Sequence, residues 1–600
     1  MPETLFTHET RNSAKTRRQL ADDVMLGGGN VLAAAVAHSP RSDLPFLLTE
    51  IPVTHVDGST KRLFSLTELD ELAQAWSVWY LERGISPRER VAVYVQDSFE
   101  DLLQFFALSQ IGAIPVLING RMPAELAAGL CQRTGVVGLY ADAERAQRLS
   151  AHLGGTGASP KTRIVNSEVG AVPRRRLSDT QRYRHHAEDP VFICHSSGTT
   201  GVPKAVIWTH RQSIEGIRSL LRAPIGERMS LVPREAAGAV GVVDAGADAQ
   251  VLLSAVPQSH SAGVSFAAGA LLFGTPIVVL SDISGGHVVD AIEQYRPTDV
   301  VAFSATYAEI ATLAPDPRRL ASVGTWFNTG DSAHARHIEP LVNAGHRWID
   351  GQRRAGSAFV DGLGSSELGF AQFLRITTAD SLRHDRCVGK PHVFAEPTVL
   401  RKDGTVADPY EVGFLAVKSP TVTPGYWNDS DTTYRSRVGE YWLSGDVVYR
   451  DEADFFYHMD RAVDVIHTAQ GPAYSLLMEE ILLAHVPEIV DCAIVAAPNA
   501  DAESPVAIVL LRGGSAEAHE LMQRANRILR EKMQPELEFL DIAKDPQDVP
   551  LGPTGKVLKR VLRERYKNLF AGGGSEYASG YVPDLTTMNN ATSETSRVDH

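Results

Sequence analysis

The spacing of apolar residues predicts alternating helices and strands through the first half of the chain. Residues 66–84 carry apolar side chains at helical spacing, and Gly84 is placed to end this helix. The apolar run VAVYV at 91–95 predicts a buried strand, followed by a helix and a second strand, IPVLI. The same alternation returns at 251–320. Such alternation is typical of a parallel sheet covered by helices on both faces.

The pattern changes in the second half of the chain. After about residue 395, short β-like segments separated by Gly, Pro and Asp turns predict a β-rich subdomain. A second αβ unit follows, and we expect it to form a small mobile α+β domain. The fold class is therefore α/β, with a large N-terminal domain of parallel and mixed sheets flanked by helices. The predicted divisions are a leader at 1–40, the large domain at 41–460, the small domain at 461–567 and a disordered tail at 568–600.

Two further segments lack a clear period. The leader at 1–40 is expected to cover the surface or to be partly disordered. Residues 223–250 are rich in Gly and Ala, and we interpret them as an inserted or elongated surface loop.

Composition excludes several classes of protein. The chain has 600 residues, 44% of them hydrophobic and 22% charged, which is typical of a soluble globular protein of two to four domains. Its net charge of −14 gives no reason to expect nucleic acid or an anionic membrane surface as the main partner. The four cysteines form no CxxC pair, and neither a secretory signal nor an apolar run of 18 residues occurs. We expect a cytoplasmic protein without a membrane span.

The segment HSSGTTGVPK at 195–204 has the composition of a phosphate-binding loop. Its glycines allow backbone N–H groups to approach an anion, its hydroxyls add neutral donors, and Lys204 offsets negative charge. The Walker A pattern GxxxxGK[ST] does not fit these residues. Taken alone, the segment could also be a polar turn.

Five stretches together resemble the signatures of the adenylate-forming superfamily, which contains acyl-CoA synthetases, nonribosomal-peptide adenylation domains and luciferases. In chain order they are SSGTTGVPKAVIWTH, DGLGSSELG (361–369), EYWLSGDVVYRD (440–451), DRAVDVI (460–466) and PLGPTGKVLKR (550–560). The resemblance covers about 45–567. It implies that a carboxylate attacks the α-phosphate of ATP, so that pyrophosphate leaves and an acyl-adenylate forms.

The resemblance also implies a role for individual residues. Lys556 matches the catalytic lysine that contacts the carboxylate and the α-phosphate, and Glu367 matches the acid that holds Mg²⁺, with Thr199 as a second candidate ligand. Asp446 matches the carboxylate that binds the ribose hydroxyls, and Arg461 a ribose–phosphate contact. The full set expected to contact the nucleotide is Ser196, Ser197, Gly198, Thr199, Thr200, Gly201, Lys204, Gly330, Asp331, Gly364, Ser365, Ser366, Asp446 and Arg461. Leu363 stands where an aromatic residue usually stacks on adenine, which is a departure from the pattern.

The segment at 256–274 resembles the acid-binding region of acyl ligases, with His260 at its centre. We expect His260 to act in the substrate pocket, the alternative being a packed core histidine. Amino-acid-activating domains place an Asp in this region, and none lies between Ser254 and Thr275. The abundant small residues predict room for an aryl or medium-length acid rather than an α-amino acid.

The acceptor of the activated group depends on the hinge and on the loop that follows it. The resemblance implies that the small domain rotates about its hinge and admits CoA or another thiol. At the hinge, however, Val463 replaces the usual charged residue, and His467 and Gln470 stand where Lys and Gly are usual. These departures leave open an amine or a carrier protein as acceptor, and also the activation of nitrite for diazotisation. A non-catalytic nucleotide-binding relative is the alternative of another class, but it would be expected to lose Lys556 or Glu367.

Overall fold

The structure is a computed structural model that describes residues 5–96, 98–153, 163–166, 171–196, 203–222, 250–331, 333–349, 352–382, 386–512, 517–552 and 555–571. Residues 223–249 of the predicted surface loop, most of the phosphate loop and the tail from 572 onwards lie outside these ranges.

The described helices and strands follow the order predicted from the apolar spacing. The helices are α1 (Ala14–Asp22), α2 (Val31–His38), α3 (Leu66–Glu82), α4 (Ser98–Gln110), α5 (Ala124–Thr134), α6 (Ala143–Leu153), α7 (Gln212–Arg222), α8 (Ser261–Phe273), α9 (Gly285–Tyr295), α10 (Ser304–Leu313), α11 (Ala335–Val342), α12 (Ser430–Arg435), α13 (Ser475–His485), α14 (Ala518–Glu531) and α15 (Lys559–Tyr566). The strands are β1 (Pro45–Thr54), β2 (Thr60–Ser65), β3 (Arg90–Val95), β4 (Ile114–Asn119), β5 (Gly138–Ala141), β6 (Arg163–Asn166), β7 (Pro190–His195), β8 (Ala205–Thr209), β9 (Leu252–Ala255), β10 (Ile277–Val279), β11 (Asp299–Phe303), β12 (Thr325–Thr329), β13 (His346–Ile349), β14 (Gln352–Ala355), β15 (Ala358–Asp361), β16 (Phe373–Thr377), β17 (Cys387–Pro391), β18 (Glu396–Leu400), β19 (Gly413–Lys418), β20 (Arg437–Val438), β21 (Tyr441–Arg450), β22 (Phe456–Arg461), β23 (Ile466–Thr468), β24 (Gly471–Ala473), β25 (Ile489–Asn499), β26 (Ala502–Leu511) and β27 (Phe539–Ile542).

A six-stranded sheet has the order β6-β5-β3-β4-β7-β8. Its strands are parallel except for the antiparallel pair β7–β8, which leads into and out of the phosphate loop. The predicted strands VAVYV and IPVLI are neighbours at its centre, and both are buried, as expected for strands that are apolar on both faces.

A larger sheet carries most of the site. Strands β1, β10, β9, β11, β12 and β15 pair in parallel, and the path continues antiparallel through β16, β17, β22, β21, β19 and β18. Because parallel strands end at the same edge, the segments that follow β11, β12 and β15 lie together. The predicted mixed α/β architecture is confirmed by this arrangement.

The N-terminal leader differs from its prediction. Residues 14–38 form α1 and α2, whose Leu20, Val31 and Leu32 are buried. Arg218 of α7 holds this segment by donating to the carbonyl oxygens of Ala21, Asp23 and Leu26 at 2.7, 2.8 and 2.9 Å. These residues therefore form packed helices rather than a disordered segment, since their apolar side chains pack against α7 and α8.

The C-terminal part of the chain builds its own core. Buried apolar residues between 466 and 566 form two clusters on α13, α14, α15 and the β25–β26–β27 sheet, and both are separate from the core that spans 6–456. The predicted division at 460/461 falls between these two sets.

Among the described residues, no helix has both the length and the apolar character that crossing a membrane requires.

Candidate active site

A cavity of about 1020 Å³ lies between the large and the small domain, at the carboxyl ends of the parallel strands. Its lining includes Lys204 beside the phosphate loop, Glu367 in the loop after β15, Asp446 on β21 and Lys556 before α15. Four stretches that are far apart in sequence are thus brought together at one cavity.

The phosphate loop leaves β7 and returns at β8, and its base is described. The Ser196 N–H donates to the Lys204 carbonyl oxygen at 3.1 Å, and the Lys204 N–H donates to Ser196 Oγ at 3.3 Å. Lys204 Nζ lies 4.9 Å from the centre of the Tyr426 ring, at the cavity wall. The other predicted loop residues lie outside the described ranges: Ser197, Gly198, Thr199, Thr200 and Gly201.

The segment after β12 forms a second wall of the cavity. Beside it lies a carboxylate, that of Asp361, which was not among the predicted site residues. Gly330 has a φ of 88°, and a Cβ there would lie 2.6 Å from the Phe303 ring, so this backbone conformation and close approach require glycine. Asn328 Nδ2 donates to the Asp331 carbonyl oxygen at 2.7 Å and to Asp361 Oδ1 at 2.8 Å. Asp361 lines the cavity beside Gly330 and Asp331. Asp361 is the first residue of the motif DGLGSSELG, so its place in that motif could have identified it.

The loop after β15 presents Glu367. The Tyr426 hydroxyl donates to Glu367 Oε1 at 3.0 Å, and the Thr423 N–H donates to the Glu367 carbonyl oxygen at 2.8 Å. Burial and the neighbouring Glu367 raise the pKa of Tyr426, so the phenol stays a donor at neutral pH. Ser366 Oγ lies 3.3 Å from Ser261 Oγ, and Gly364 and Ser365 line the same cavity.

Asp446 is buried on β21 beside a cation. Arg461 Nη1 lies 2.9 Å from Asp446 Oδ1, and Ser444 Oγ accepts from the Asp446 N–H at 3.0 Å. Burial alone would raise the pKa of Asp446, but the Arg461 guanidinium, together with His458 and the Ser444 hydroxyl, outweighs burial and holds that pKa well below its usual range. The predicted pair therefore presents an ionised carboxylate at the cavity.

Lys556 reaches the cavity on a short turn. The Gly552 N–H donates to the Lys556 carbonyl oxygen at 2.8 Å, and Leu551 pairs with Val557 across this turn. Gly555 has a φ of 76°, and a Cβ there would lie 2.6 Å from the Ala305 Cβ at the start of α10. The turn is thus in direct contact with the large domain.

His260 caps α8 beside the same cavity. Its Nδ1 accepts from the Ala262 N–H at 3.2 Å, and its ring meets Phe303 edge-on at 5.3 Å between centres. Burial, with His195 and Lys556 nearby, lowers the pKa of His260 to about 3. The imidazole is therefore neutral at physiological pH, and because Nδ1 accepts, its proton is on Nε2.

A buried lysine three residues beyond Lys556 was not predicted. Lys559 Nζ lies 2.8 Å from Glu479 Oε1 and donates to Ser475 Oγ at 2.7 Å. Ser475 in turn donates through its hydroxyl to Asp460 Oδ2 at 2.7 Å. This network joins α15 to the hinge. The sequence KVLKR alone does not show that its second lysine, Lys559, is buried.

The small domain is held on the large one by polar contacts between α11 and α13. His334 Nδ1 lies 2.5 Å from Glu480 Oε2, and the Ala335 N–H donates to Glu480 Oε1 at 3.3 Å. Arg336 donates to carbonyl oxygens that follow α13, including that of Pro487 at 2.5 Å. His337 Nε2 lies 3.2 Å from the Val490 carbonyl oxygen. These contacts lie between the large domain and the small domain that carries Lys556.

The residues fit a magnesium ion that is bound mainly through phosphate. Among the described residues, no group of three or more His, Cys, Asp or Glu side chains could hold a metal by itself. Mg²⁺ commonly takes one or two protein carboxylates and completes its coordination with phosphates and water. Glu367 offers one carboxylate at the cavity, oriented by Tyr426.

The fold and the site define an enzyme that binds an adenine nucleotide. The family model described as AMP-binding enzyme matches residues 51–427, and the chain belongs to this family. The predicted membership of the adenylate-forming superfamily and the predicted class, an AMP-forming ligase, are confirmed.

Similar proteins cover nearly the whole chain. The 3-aminoavenalumate diazotase of a Streptomyces species is 37% identical over 576 residues, which are 92% of this chain and 98% of that protein. The 2-succinylbenzoate–CoA ligase of Geobacillus sp. (strain WCH70) is 26% identical over 527 residues, 87% of this chain and 96% of that protein. The crystal structure of the anthranilate CoA ligase AuaEII in complex with anthranoyl-AMP has a TM-score of 0.76 at 18% identity and covers 92% of this chain and 99% of its own. It shares the fold.

Proposed function

We propose that this enzyme uses ATP and nitrite to convert an aromatic amine into its diazonium ion. The observation that carries the proposal is the 37% identity to a diazotase along nearly the full length of both chains, against 26% to a CoA ligase. This similarity favours the diazotisation alternative of the sequence analysis over thiol transfer. The exposed Val463 at the hinge, where a charged residue is usual in the superfamily, supports the same choice.

The nucleotide would be held by groups that already converge on the cavity. Lys204 and the phosphate loop would face the triphosphate, and the ionised Asp446 would accept from the ribose hydroxyls. Asp361, which lines the same cavity, would accept a hydrogen bond from the base amino group. Glu367 would hold Mg²⁺, which when bound neutralises phosphate charge.

The first chemical step joins two anions. A nitrite oxygen attacks the α-phosphorus of ATP, the new P–O bond forms, the bond to the β-phosphate breaks and pyrophosphate leaves. Lys556 neutralises the charge that accumulates on the α-phosphate oxygens, which is electrostatic stabilisation of the transition state. The neutral His260, with its proton on Nε2, can donate a hydrogen bond without adding charge.

The second step consumes the nitrite–AMP anhydride. The amine nitrogen attacks the nitrite nitrogen, the N–O bond to AMP breaks, AMP leaves and the amine loses a proton. The resulting N-nitrosamine then tautomerises and, on protonation, loses water to give the diazonium ion. AMP, pyrophosphate and water are the other products, and no oxidant or reductant is needed.

A second candidate is ligation of an aryl acid to CoA. The similarity to a 2-succinylbenzoate–CoA ligase over 87% of the chain favours it, and the same cavity would adenylate the acid. CoA would then be the acceptor, or alternatively the thiol of a carrier protein.

The test compares the two reactions directly. AMP release is measured with ATP, Mg²⁺ and either nitrite plus a panel of aromatic amines, or CoA plus a panel of aryl acids. We expect AMP release that needs both nitrite and an amine, together with a diazonium product identified by mass spectrometry. AMP release that needs CoA and an acid, with none from nitrite, would replace the first candidate by the second.

A further inference from the structure

Three polar residues form a row across neighbouring strands of the larger sheet. Asn328 of β12 pairs in register with Asp361 of β15, and Asp361 pairs in register with Arg375 of β16. Residues that stand directly opposite one another on neighbouring strands project from the same face of a sheet. Asn328 and Asp361 line the cavity, whereas Arg375 does not. The row therefore leads from the cavity wall to a cation behind it.

The Asp361 carboxylate is held at both of its oxygens. Asn328 Nδ2 donates to Oδ1 at 2.8 Å, and Arg375 Nη2 lies 3.6 Å from Oδ2. At 3.6 Å the second contact is an attraction between charges rather than a hydrogen bond. The side chains of Asp361 and Arg375 expose only 18% and 10% of their surface. A buried carboxylate is costly unless a nearby cation and hydrogen bonds compensate its charge, and these two neighbours provide both.

Arg375 is itself anchored on the side away from the cavity. Its Nη1 donates to the carbonyl oxygen of Cys387 on β17 at 3.2 Å. Burial lowers the pKa of Arg375, whereas the charges of Asp361 and Glu480 oppose this effect. A guanidinium keeps its proton at neutral pH even in buried surroundings. Arg375 thus supplies a fixed positive charge behind Asp361.

A carboxylate in this position distinguishes between purine bases. An ionised carboxylate can only accept hydrogen bonds. It therefore matches the amino group at C6 of adenine and opposes the carbonyl oxygen that hypoxanthine carries at the same position. A buried polar group that is left unpaired by the wrong ligand discriminates strongly against that ligand.

We propose that Arg375 is a positioning residue that holds Asp361 as a hydrogen-bond acceptor, and so sets the preference of the nucleotide site for adenine over hypoxanthine. The proposal rests on the contact between Asp361 and the base in the proposed function. It adds a residue that acts on the nucleotide only through Asp361.

The test measures binding of AMP and IMP by isothermal titration calorimetry, without nitrite, amine or CoA. The unmodified enzyme should bind AMP about tenfold or more tightly than IMP. Arg375→Met should reduce this preference to about twofold or less, mainly by weakening AMP, because the carboxylate loses its cation and one of its two restraints. Arg375→Lys keeps a cation and should keep most of the preference. If Arg375→Met does not fold, Arg375→Gln removes the charge in its place.

A double substitution tests whether Arg375 acts through Asp361. Asp361→Asn should itself reduce the preference for AMP, because an amide can donate to the IMP carbonyl oxygen. Adding Arg375→Met to Asp361→Asn should change the ratio of the two affinities no further, since residues that act as one unit are not additive.

Arg347→Met is the matched control. Arg347 is also a buried arginine that donates to a backbone carbonyl oxygen, from its Nε to Gly356 at 3.1 Å. It lies on β13, which pairs with β14 in a separate two-stranded sheet. Its substitution should leave the preference for AMP unchanged.

The proposal is overturned if the unmodified enzyme binds AMP and IMP equally or binds neither. Equal weakening of both nucleotides by Arg375→Met, the same loss of preference in Arg347→Met, or a further loss in the double variant also overturns it. Because no turnover is measured, a failure of the nitrite reaction leaves these affinities unchanged and is seen separately as missing AMP release.

Discussion

Glu480→Ala should slow adenylation by releasing the small domain from the large one. Glu480 lies on α13, more than 70 residues from Lys556 in sequence, and it contacts the large domain through His334 and the Ala335 N–H. The substitution removes both contacts and leaves all groups at the nucleotide site in place. It therefore separates docking of the small domain from the chemistry.

The size of the effect follows from burial and charge. His334 and Glu480 each expose 12% of their side chains, and their closest atoms are 2.5 Å apart. A hydrogen bond to a charged group contributes about 1.5–3 kcal/mol, which corresponds to about 10–150-fold in an equilibrium. The rate of adenylation should fall by up to this factor, because Lys556 reaches the cavity only when the small domain is docked.

The same contact predicts a dependence on pH. Burial lowers the pKa of His334, but Glu480 outweighs burial and the net pKa is raised above 6.5. A raised pKa means that the charged contact is complete at low pH and is lost as pH rises through that pKa. His337, Glu479 and Arg386 also act on these groups, and none of them is changed by the substitution.

ATP–pyrophosphate exchange measured between pH 6 and pH 9 tests this reasoning. Exchange by the unmodified enzyme should decline toward the alkaline end, and Glu480→Ala should be slow throughout with a weaker decline. Glu536→Ala is the control, because its pair with Arg530 is exposed within the small domain and should contribute at most about 1 kcal/mol. Exchange by Glu480→Ala that equals Glu536→Ala at every pH would refute the role of the contact.

Three further substitutions give separate tests. Lys556→Ala should reduce exchange by about 10²–10³-fold through the loss of one cation at the transition state, and near-normal exchange would contradict its role. Tyr426→Phe should raise the Mg²⁺ concentration that gives half-maximal exchange several-fold, because Glu367 loses the hydroxyl that orients it. An unchanged Mg²⁺ dependence would contradict this. Arg17→Met should raise the free energy of unfolding by about 1–2 kcal/mol. The reason is that Nε and Nη1 of Arg17 are buried without hydrogen-bond partners among the described residues. A lower stability of the variant in urea denaturation would contradict this.

Local patterns predicted the strands of the sheets and the residues that follow them. VAVYV and IPVLI are apolar over their whole length, and such segments form central strands because both of their faces are buried. Lys204 was predicted from the composition of its loop, whereas Glu367 and Lys556 were predicted because their segments resemble motifs of the adenylate-forming superfamily. The structure brings all three to one cavity.

What could not be predicted depends on contacts between distant segments. The helix VLAAAVAH of α2 has apolar residues on all sides and so shows no amphipathic period, and it was not recognised as a buried helix. The contact between His334 and Glu480 joins residues 146 positions apart and exists only because two domains are docked. The shape of the cavity likewise depends on how α7, α8 and the sheet pack together.

ATP–pyrophosphate exchange with nitrite as the only other substrate tests the central claim most directly. We expect exchange that requires nitrite and Mg²⁺, proceeds without amine or CoA, and falls about 10²–10³-fold in Lys556→Ala. Exchange supported by aryl acids and not by nitrite would contradict the proposed activation of nitrite. Nitrite-dependent exchange that is unchanged in Lys556→Ala would contradict the catalytic role assigned to this cavity.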